Sequence, residues 1–371
     1  MVSKRLLSLD ILRGITVAGM ILVNNGWGES FEMLGHSKWN GMTPCDLVFP
    51  FFLFIMGISC YLSLVKSEFK PTVPVLRRIL KRTVLLFLIG LAIHWLDGAL
   101  NGDYGLSHLR MMAVLQRIAL CYCAVSLFAV YCNHRYTIPV IVVLLAAYSA
   151  ILIFGNGYAY DADVNILARF DLSVLGYDHI YHKGPVDPEG LLGTIPSIAH
   201  VLLGFYCGKL IRQKETVEQK VIAVFVLGTV LVISGYLLSY GLPLNKRIWS
   251  PSYVLMTCGL ASLLQALLIS VESRTESLSR TAVANSTLYT LHSTLNTFFH
   301  VFGVNALALY VSSELLAILL GNWGVSEVVY NGIHAVIPAL KWASLAYAVY
   351  FVLLNFAIGY VLYRKKIFIK L

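Results

Sequence analysis

The segment 24–52, NNGWGESFEMLGHSKWNGMTPCDLVFPFF, carries the densest set of side chains capable of chemistry in this 371-residue chain. His36 lies in a polar stretch, and Asp46 opens the apolar run that follows. Between them, Trp39-Asn40-Gly41-Met42-Thr43-Pro44 is rich in turn formers, so the loop can fold back and bring the carboxylate to the imidazole. A carboxylate there fixes the tautomer of the ring and raises its basicity. An unperturbed imidazole titrates at about 6.5 and suits proton transfer at neutral pH. The same residues also read as an ordinary loop histidine and a helix-capping aspartate. Asn24 and Asn25 end the preceding apolar run. A second polar cluster, Asn245-Lys246-Arg247-Ile248-Trp249-Ser250-Pro251-Ser252-Tyr253, offers rings to stack on a sugar and polar groups to reach its hydroxyls. Trp249 and Tyr253 read equally as interfacial anchors. A third, Asp187–Ser197, has the look of a capped helix entry.

Charges inside apolar runs are the remaining candidates, because an ionisable group in a membrane is costly and usually functional. Asp10 and Arg13 stand three apart on one helix face, as a self-neutralising pair or a catalytic one. Arg117, beside Gln116, reads either as a structural cation or as a ligand's partner. The seven cysteines include no CxxC pair and no Cys/His metal spacing, and most behave as small hydrophobes in or at the ends of helices. No metal is expected.

Composition dictates what positions these groups. The chain is 58% hydrophobic and 13% charged, with a mean hydropathy of +0.75, half the charge a soluble domain carries. Apolar runs of about 18 to 22 residues recur, long enough to cross a bilayer core as helices. They do not alternate as β-barrel strands would. The expected architecture is all-α and polytopic, with about ten transmembrane helices: Ile11–Gly26, Leu47–Val65, Thr83–Leu96, Met112–Tyr131, Thr137–Phe154, Leu191–Ile211, Val221–Gly241, Ser252–Val271, Phe302–Leu320 and Trp342–Tyr363. The semi-polar stretch Ala282–His300 reads as an interfacial or re-entrant helix. No repeat or linker interrupts the chain, so one domain is expected.

Lys and Arg set the sidedness. With both termini cytoplasmic, 19 of the 28 basic residues fall inside and seven outside. The net charge of +9 therefore reflects membrane topology and not nucleic-acid binding. Lys4 and Arg5 before an apolar run resemble a signal peptide, but Asp10 and Arg13 interrupt the run and Asn24-Asn25-Gly26-Trp27 is a poor cleavage site. An uncleaved first helix is expected. The outer loop 155–190 is long and acidic.

The chain resembles the heparan-α-glucosaminide N-acetyltransferase family, including its bacterial members. The resemblance rests on RLLSLDILRGI (5–15), HSKWNGMTPCDLVFPFFLFIMG (36–57), VLQRIALCY (114–122), DPEGLLGTIPSI (187–198) and NKRIWSPSYVL (245–255), with a weaker FGVNALALYV (302–311), all in family order. It implies transfer of the acetyl group of cytoplasmic acetyl-CoA, without a metal, to an amino sugar on the far side. It also implies that His36 is the active-site histidine and Asp46 its aspartate, with Asn24, or Asn25 given the spacing, as the asparagine. Trp39, Asn40, Asn245, Lys246 and Trp249 become candidates for acceptor binding. Arg13, Arg78, Arg82, Arg117 and Arg274 become candidates for the CoA phosphates, which favour the basic inner rim. The family's mammalian N-terminal lumenal domain has no counterpart here, so a small amino sugar and a bacterial inner membrane are expected. Ping-pong and ternary-complex routes stay open, as does the oligomeric state, a homodimer included. The competing reading is an amino-sugar or N-acetylglucosamine transporter. Transporters often carry internal repeats and paired broken helices, and neither is evident.

Overall fold

Apolar sequence that must satisfy its own backbone folds into helices. The computed structural model describes residues 6–278 and 287–369. Its helices are α1 (Leu7–Asn24), α2 (Val48–Leu64), α3 (Val73–Leu100), α4 (Val114–Tyr131), α5 (Thr137–Phe154), α6 (Ile166–Leu175), α7 (Thr194–Gln213), α8 (Val217–Leu238), α9 (Pro251–Leu278), α10 (Thr287–Val304), α11 (Ala306–Asn322), α12 (Val325–Val336) and α13 (Leu340–Arg364). Among the described residues, nine helices are long and apolar enough to cross a bilayer. The bent pair α10–α11 raises the count to ten if it is one broken span. The polytopic all-α expectation holds.

The polarity pattern is that of a membrane protein. The helix α8 exposes Ile222, Phe225, Val230, Ile233 and Leu237, and α5 exposes Val142, Val143 and Ile153. Ser126, Thr257, Ser262, Gln265 and Asn355 are buried instead. Lipid is as apolar as leucine, so helix association relies on close packing and polar contacts. Between α2 and α7 that packing is tight: a Cβ on Gly204 would meet the Phe54 carbonyl oxygen at 2.1 Å, and one on Gly57 the Val201 oxygen at 2.1 Å.

Two expected spans differ from the structure. The third starts at Val73 and not at Thr83, because Arg77, Arg78, Lys81 and Arg82 form its first turns beyond the apolar window. The ninth, Phe302–Leu320, is broken at Asn305, where α10 and α11 meet at 80°. The Asn305 side chain leaves the helix to donate to Ile367 O at 3.0 Å and accept from Ile369 N at 2.9 Å. The semi-polar stretch falls on α10, except residues 282–286, which lie outside the described residues. The helix α10 docks on α1, where Arg13 donates to Gly303 O at 3.2 Å. At this same end, Ser8 N donates to Glu272, and the C-terminal segment meets Asn305. Both described chain ends therefore share one end of the bundle, the one where the basic first turns of α3 would lie in the expected topology.

Candidate active site

The outer loop is folded by Asp46. Thr43 and Asp46 form a reciprocal cap on the short helical turn Pro44–Leu47, with Asp46 Oδ2 accepting from Thr43 N at 3.0 Å, Thr43 Oγ1 at 3.1 Å and Ser37 N at 3.1 Å. Those bonds point Oδ1 at His36 Nδ1, 2.8 Å away. The capping and orienting roles are thus filled by one carboxylate, fully buried, while the imidazole is 47% exposed. Tyr253 donates from α9 to the Asp46 carbonyl.

A cation joins the pair from 210 residues away. Lys246 Nζ stands 3.0 Å from His36 Nδ1 and 3.1 Å from Nε2, and 3.7 Å from Asp46 Oδ1. A carboxylate only accepts and an ammonium only donates. The consistent tautomer therefore gives Nδ1–H to Asp46 and leaves the Nε2 lone pair toward Lys246. Burial pushes the Lys246 ammonium below its ordinary range, against the opposing pull of Asp46 and Glu189. The Cys45 thiol lies 3.1 Å from Nδ1. The ring borders a cavity of about 180 Å³ together with Cys45, with Leu22 and Val23 of α1, with the 26–35 loop and with Ser344 of α13.

Lys246 reaches the ring because its loop is clipped to the His36 loop. Gly41 bridges Asn245, and Gly41 N donates to Leu244 O at 2.7 Å. Asn245 Nδ2 donates to Asn40 Oδ1 at 3.2 Å, while its Oδ1 accepts from Ile248 N. Asn245 is completely buried, and Asn40 remains exposed. Trp39 is held by Tyr158 O, 3.0 Å from its indole nitrogen, and edge-on to Tyr160.

Trp249 and Tyr253 are neither surface stacking rings nor interfacial anchors. Both are fully buried. Trp249 packs edge-on against Phe49 and Tyr253, with the Arg117 guanidinium 5.2 Å from its ring centroid. Its backbone φ is 52°, in the left-handed region, a feature invisible to residue type. The structure leaves Trp249 no face for a sugar.

The five arginines do not converge. Arg13 bonds Asp10 at 2.8 Å, Gly303 O and Ser59, tying α1 to α10 and α2. Arg117 is fully buried near the outer end, donating to Gly190 O at 2.8 Å, so it belongs to no cytoplasmic rim. Arg78 and Arg274 are exposed. Arg82 lies 4.5 Å over the Tyr122 ring. Asn25 turns back to Ile21 O of its own helix at 2.8 Å. Asn24 is exposed at the end of α1, on the side of the Glu314 carboxylate of α11. Glu314 carries a signal in the sequence that the residue patterns above pass over, an acidic side chain inside an apolar run. The Arg110 ion pairs with Asp187 (2.7 Å) and Glu189 (2.9 Å) carry none, since they depend on distant loops meeting.

The chain is similar to heparan-alpha-glucosaminide N-acetyltransferase of mouse, 27% identical over 433 aligned positions covering 100% of this chain and 61% of the relative. The human protein of the same name is 28% identical over 440 positions, covering 99% and 60%. The chain thus spans about three fifths of the length of these relatives. The family model described as the catalytic part of heparan-alpha-glucosaminide N-acetyltransferase matches residues 5–240, which include His36 and Asp46. With most of its length matched, this chain belongs to the heparan-alpha-glucosaminide N-acetyltransferase catalytic family.

Proposed function

We propose that the chain is a membrane-embedded N-acetyltransferase, carrying the acetyl group of cytoplasmic acetyl-CoA to the amine of a small amino sugar on the periplasmic side of a bacterial inner membrane. The observation that carries this reading is the contact set of His36, Asp46 and Lys246 beside a cavity, in a chain of this family. The Nε2 lone pair takes a proton from the acceptor amine, or attacks the thioester carbon itself. In the first route the C–N bond forms, the C–S bond breaks, and the proton passes to the departing thiolate, giving CoA and the N-acetyl sugar. In the second, an acetyl-imidazole on His36 forms as the thiolate leaves, and the amine then displaces the imidazole. Asp46 holds the ring and balances its positive charge in both. Lys246 is suited to meet the negative charge that develops on the thioester oxygen.

The basic end of the bundle suits the donor's phosphates, with Arg78, Arg82 and Arg274 as their partners. Trp39 and Asn40 belong to the same loop as His36 and suit the acceptor's ring and hydroxyls. The test is release of free CoA by purified protein in detergent, with glucosamine as acceptor, alongside His36→Ala. Glucosamine-dependent release that disappears in the variant supports the reading. Transport of the sugar without any CoA release by the wild type would replace it with the transporter.

A further inference from the structure

The cavity beside His36 lies between two elements that aromatic contacts hold together. Phe31 of the 26–35 loop packs edge-on against Trp342 of α13 with ring centroids 5.1 Å apart, and Trp27 lies 6.0 Å from Tyr347. Gly28 takes a φ of 74°, and a Cβ there would meet the Tyr330 hydroxyl at 2.9 Å. This closure sets the first turns of α13 against the loop. Lys341, Ser344, Leu345 and Ala348 follow helical spacing, so they form a single stripe, and all four line the cavity. Ser344 is 1% exposed, and its hydroxyl has no hydrogen-bond partner among the described residues. A buried hydroxyl normally has one, and here it is left to the cavity. Lys341 makes no ion pair among the described residues.

The charges around this cavity have one sign. Its lining holds Lys341 and the titratable His36 but no carboxylate. Lys246 adds a second ammonium 3.0 Å from the imidazole. Asp46 is fully buried, and its Oδ2 is taken by three donors. Glu29 and Glu32 are exposed and lie outside the lining. The helix α13 starts at Leu340 with no side chain capping its first N–H groups, and a helix N-terminus favours an anion. A sugar whose only charge is an ammonium would enter this cavity against two lysines.

We infer that the acceptor carries an acid group of its own, a carboxylate, sulfate or phosphate on the amino sugar, which seats against Lys341 and Ser344 while the amine faces His36. The inference deepens the acetyl-transfer reading and rests on it for the amine. At about 180 Å³ the cavity is below the roughly 300–1,000 Å³ of drug-sized pockets, so the acid belongs on the sugar itself and not on a neighbouring unit of a chain. The same lysines favour the uncharged amine of the bound sugar, the form that attacks a carbonyl.

The test is isothermal titration of the purified protein in detergent with glucosamine, glucosamine 6-phosphate, glucosamine 6-sulfate, muramic acid and inorganic phosphate. At least one acid-bearing sugar is expected to bind about 10-fold more tightly than glucosamine, the lower range of a hydrogen bond to a charged group. The margin should shrink as salt is raised. The three acid-bearing sugars show which acid the site reads. Lys341→Gln, at an exposed position in the first turn of α13, should abolish the margin without moving the melting curve, and Lys341→Arg should keep it. No acid-bearing sugar exceeding glucosamine, inorganic phosphate binding as tightly as the best of them, or a margin that survives Lys341→Gln would each overturn the inference. A Lys341-dependent margin without CoA release would retain it and defeat the transfer reading. CoA release with glucosamine bound as tightly as every acid-bearing sugar would do the reverse.

Discussion

Two charged clusters occupy the outer half of the bundle, and both set a cation near a carboxylate between loop and helix. In one, His36, Asp46 and Lys246 meet beside a cavity, and the imidazole is nearly half exposed. In the other, Arg117 lies fully buried between Gly190 and Trp249, with Asp171 close behind. Asp171 accepts from Leu191 N at 2.9 Å. A Cβ on Gly190 would sit 1.9 Å from its other oxygen, so only glycine fits. The residue types alone do not distinguish a reactive cluster from a structural one. Access does: the first can admit a reactant at Nε2, while the second spends its charge on holding the 187–193 turn against α4.

Substitutions should separate the clusters by how they fail. The largest effect is expected at His36→Ala: acetyl transfer falls by about 10²–10⁴-fold, or further if the imidazole carries the acetyl group. The melting curve should not move, because the ring is a loop side chain outside the helix packing. Wild-type turnover in the folded variant would remove His36 from the chemistry. Arg117→Ala should do the opposite. Removing one partner of a buried charged set costs about 3–5 kcal/mol, so the expected loss is in folded, monodisperse yield and melting temperature. A stable variant would mean that the second cluster is not structural.

Asp46→Asn sharpens the contrast, since Asp46 belongs to both kinds of role. Its amide oxygen can still accept from the donors that now meet Oδ2, which turns the NH2 toward His36 Nδ1 and favours the wrong tautomer. A stability change well under that of Arg117→Ala should accompany an activity loss smaller than that of His36→Ala. At the basic end, Arg78→Glu with Arg82→Glu should weaken CoA binding, less so as salt is raised, because partly exposed phosphate contacts are screened. Titration of CoA at two ionic strengths reads this, and unchanged binding would move the donor site elsewhere.

The most gradual effect is a pH dependence of the sealed cluster. Burial, aided by Asp187, pushes the Asp171 carboxyl up to about 6, against the Leu191 N–H and Arg117. The folded protein therefore holds this proton more tightly than the unfolded chain does. That contribution is fully present below about 3.8 and is lost as pH rises through about 6. Across that window the wild type should lose about 1 kcal/mol per pH unit relative to Asp171→Asn. Parallel melting profiles for the two would show that Asp171 titrates normally.

The membrane class, the span count and the basic end shared by both termini are legible in the sequence because each depends on a local quantity: apolar length for the spans, Lys and Arg count for the sides. The His36–Asp46 contact is legible for a similar reason, since only ten residues and a turn-rich loop separate the partners. Lys246 reads from its type as a sugar contact, yet its place against the imidazole needs the Gly41–Asn245 clip between distant loops. Trp249 reads as a surface ring, yet Phe49, Tyr253 and Arg117 from three separate helices enclose it in the core. The α10–α11 break is hidden inside an apolar run, because the partners that draw Asn305 out of the helix lie 62 and 64 residues away. Residue type and spacing determined which groups could react and which segments had to cross the bilayer. Only tertiary structure decided which of those groups meet, because helix packing, and not sequence distance, sets which side chains come within hydrogen-bond reach.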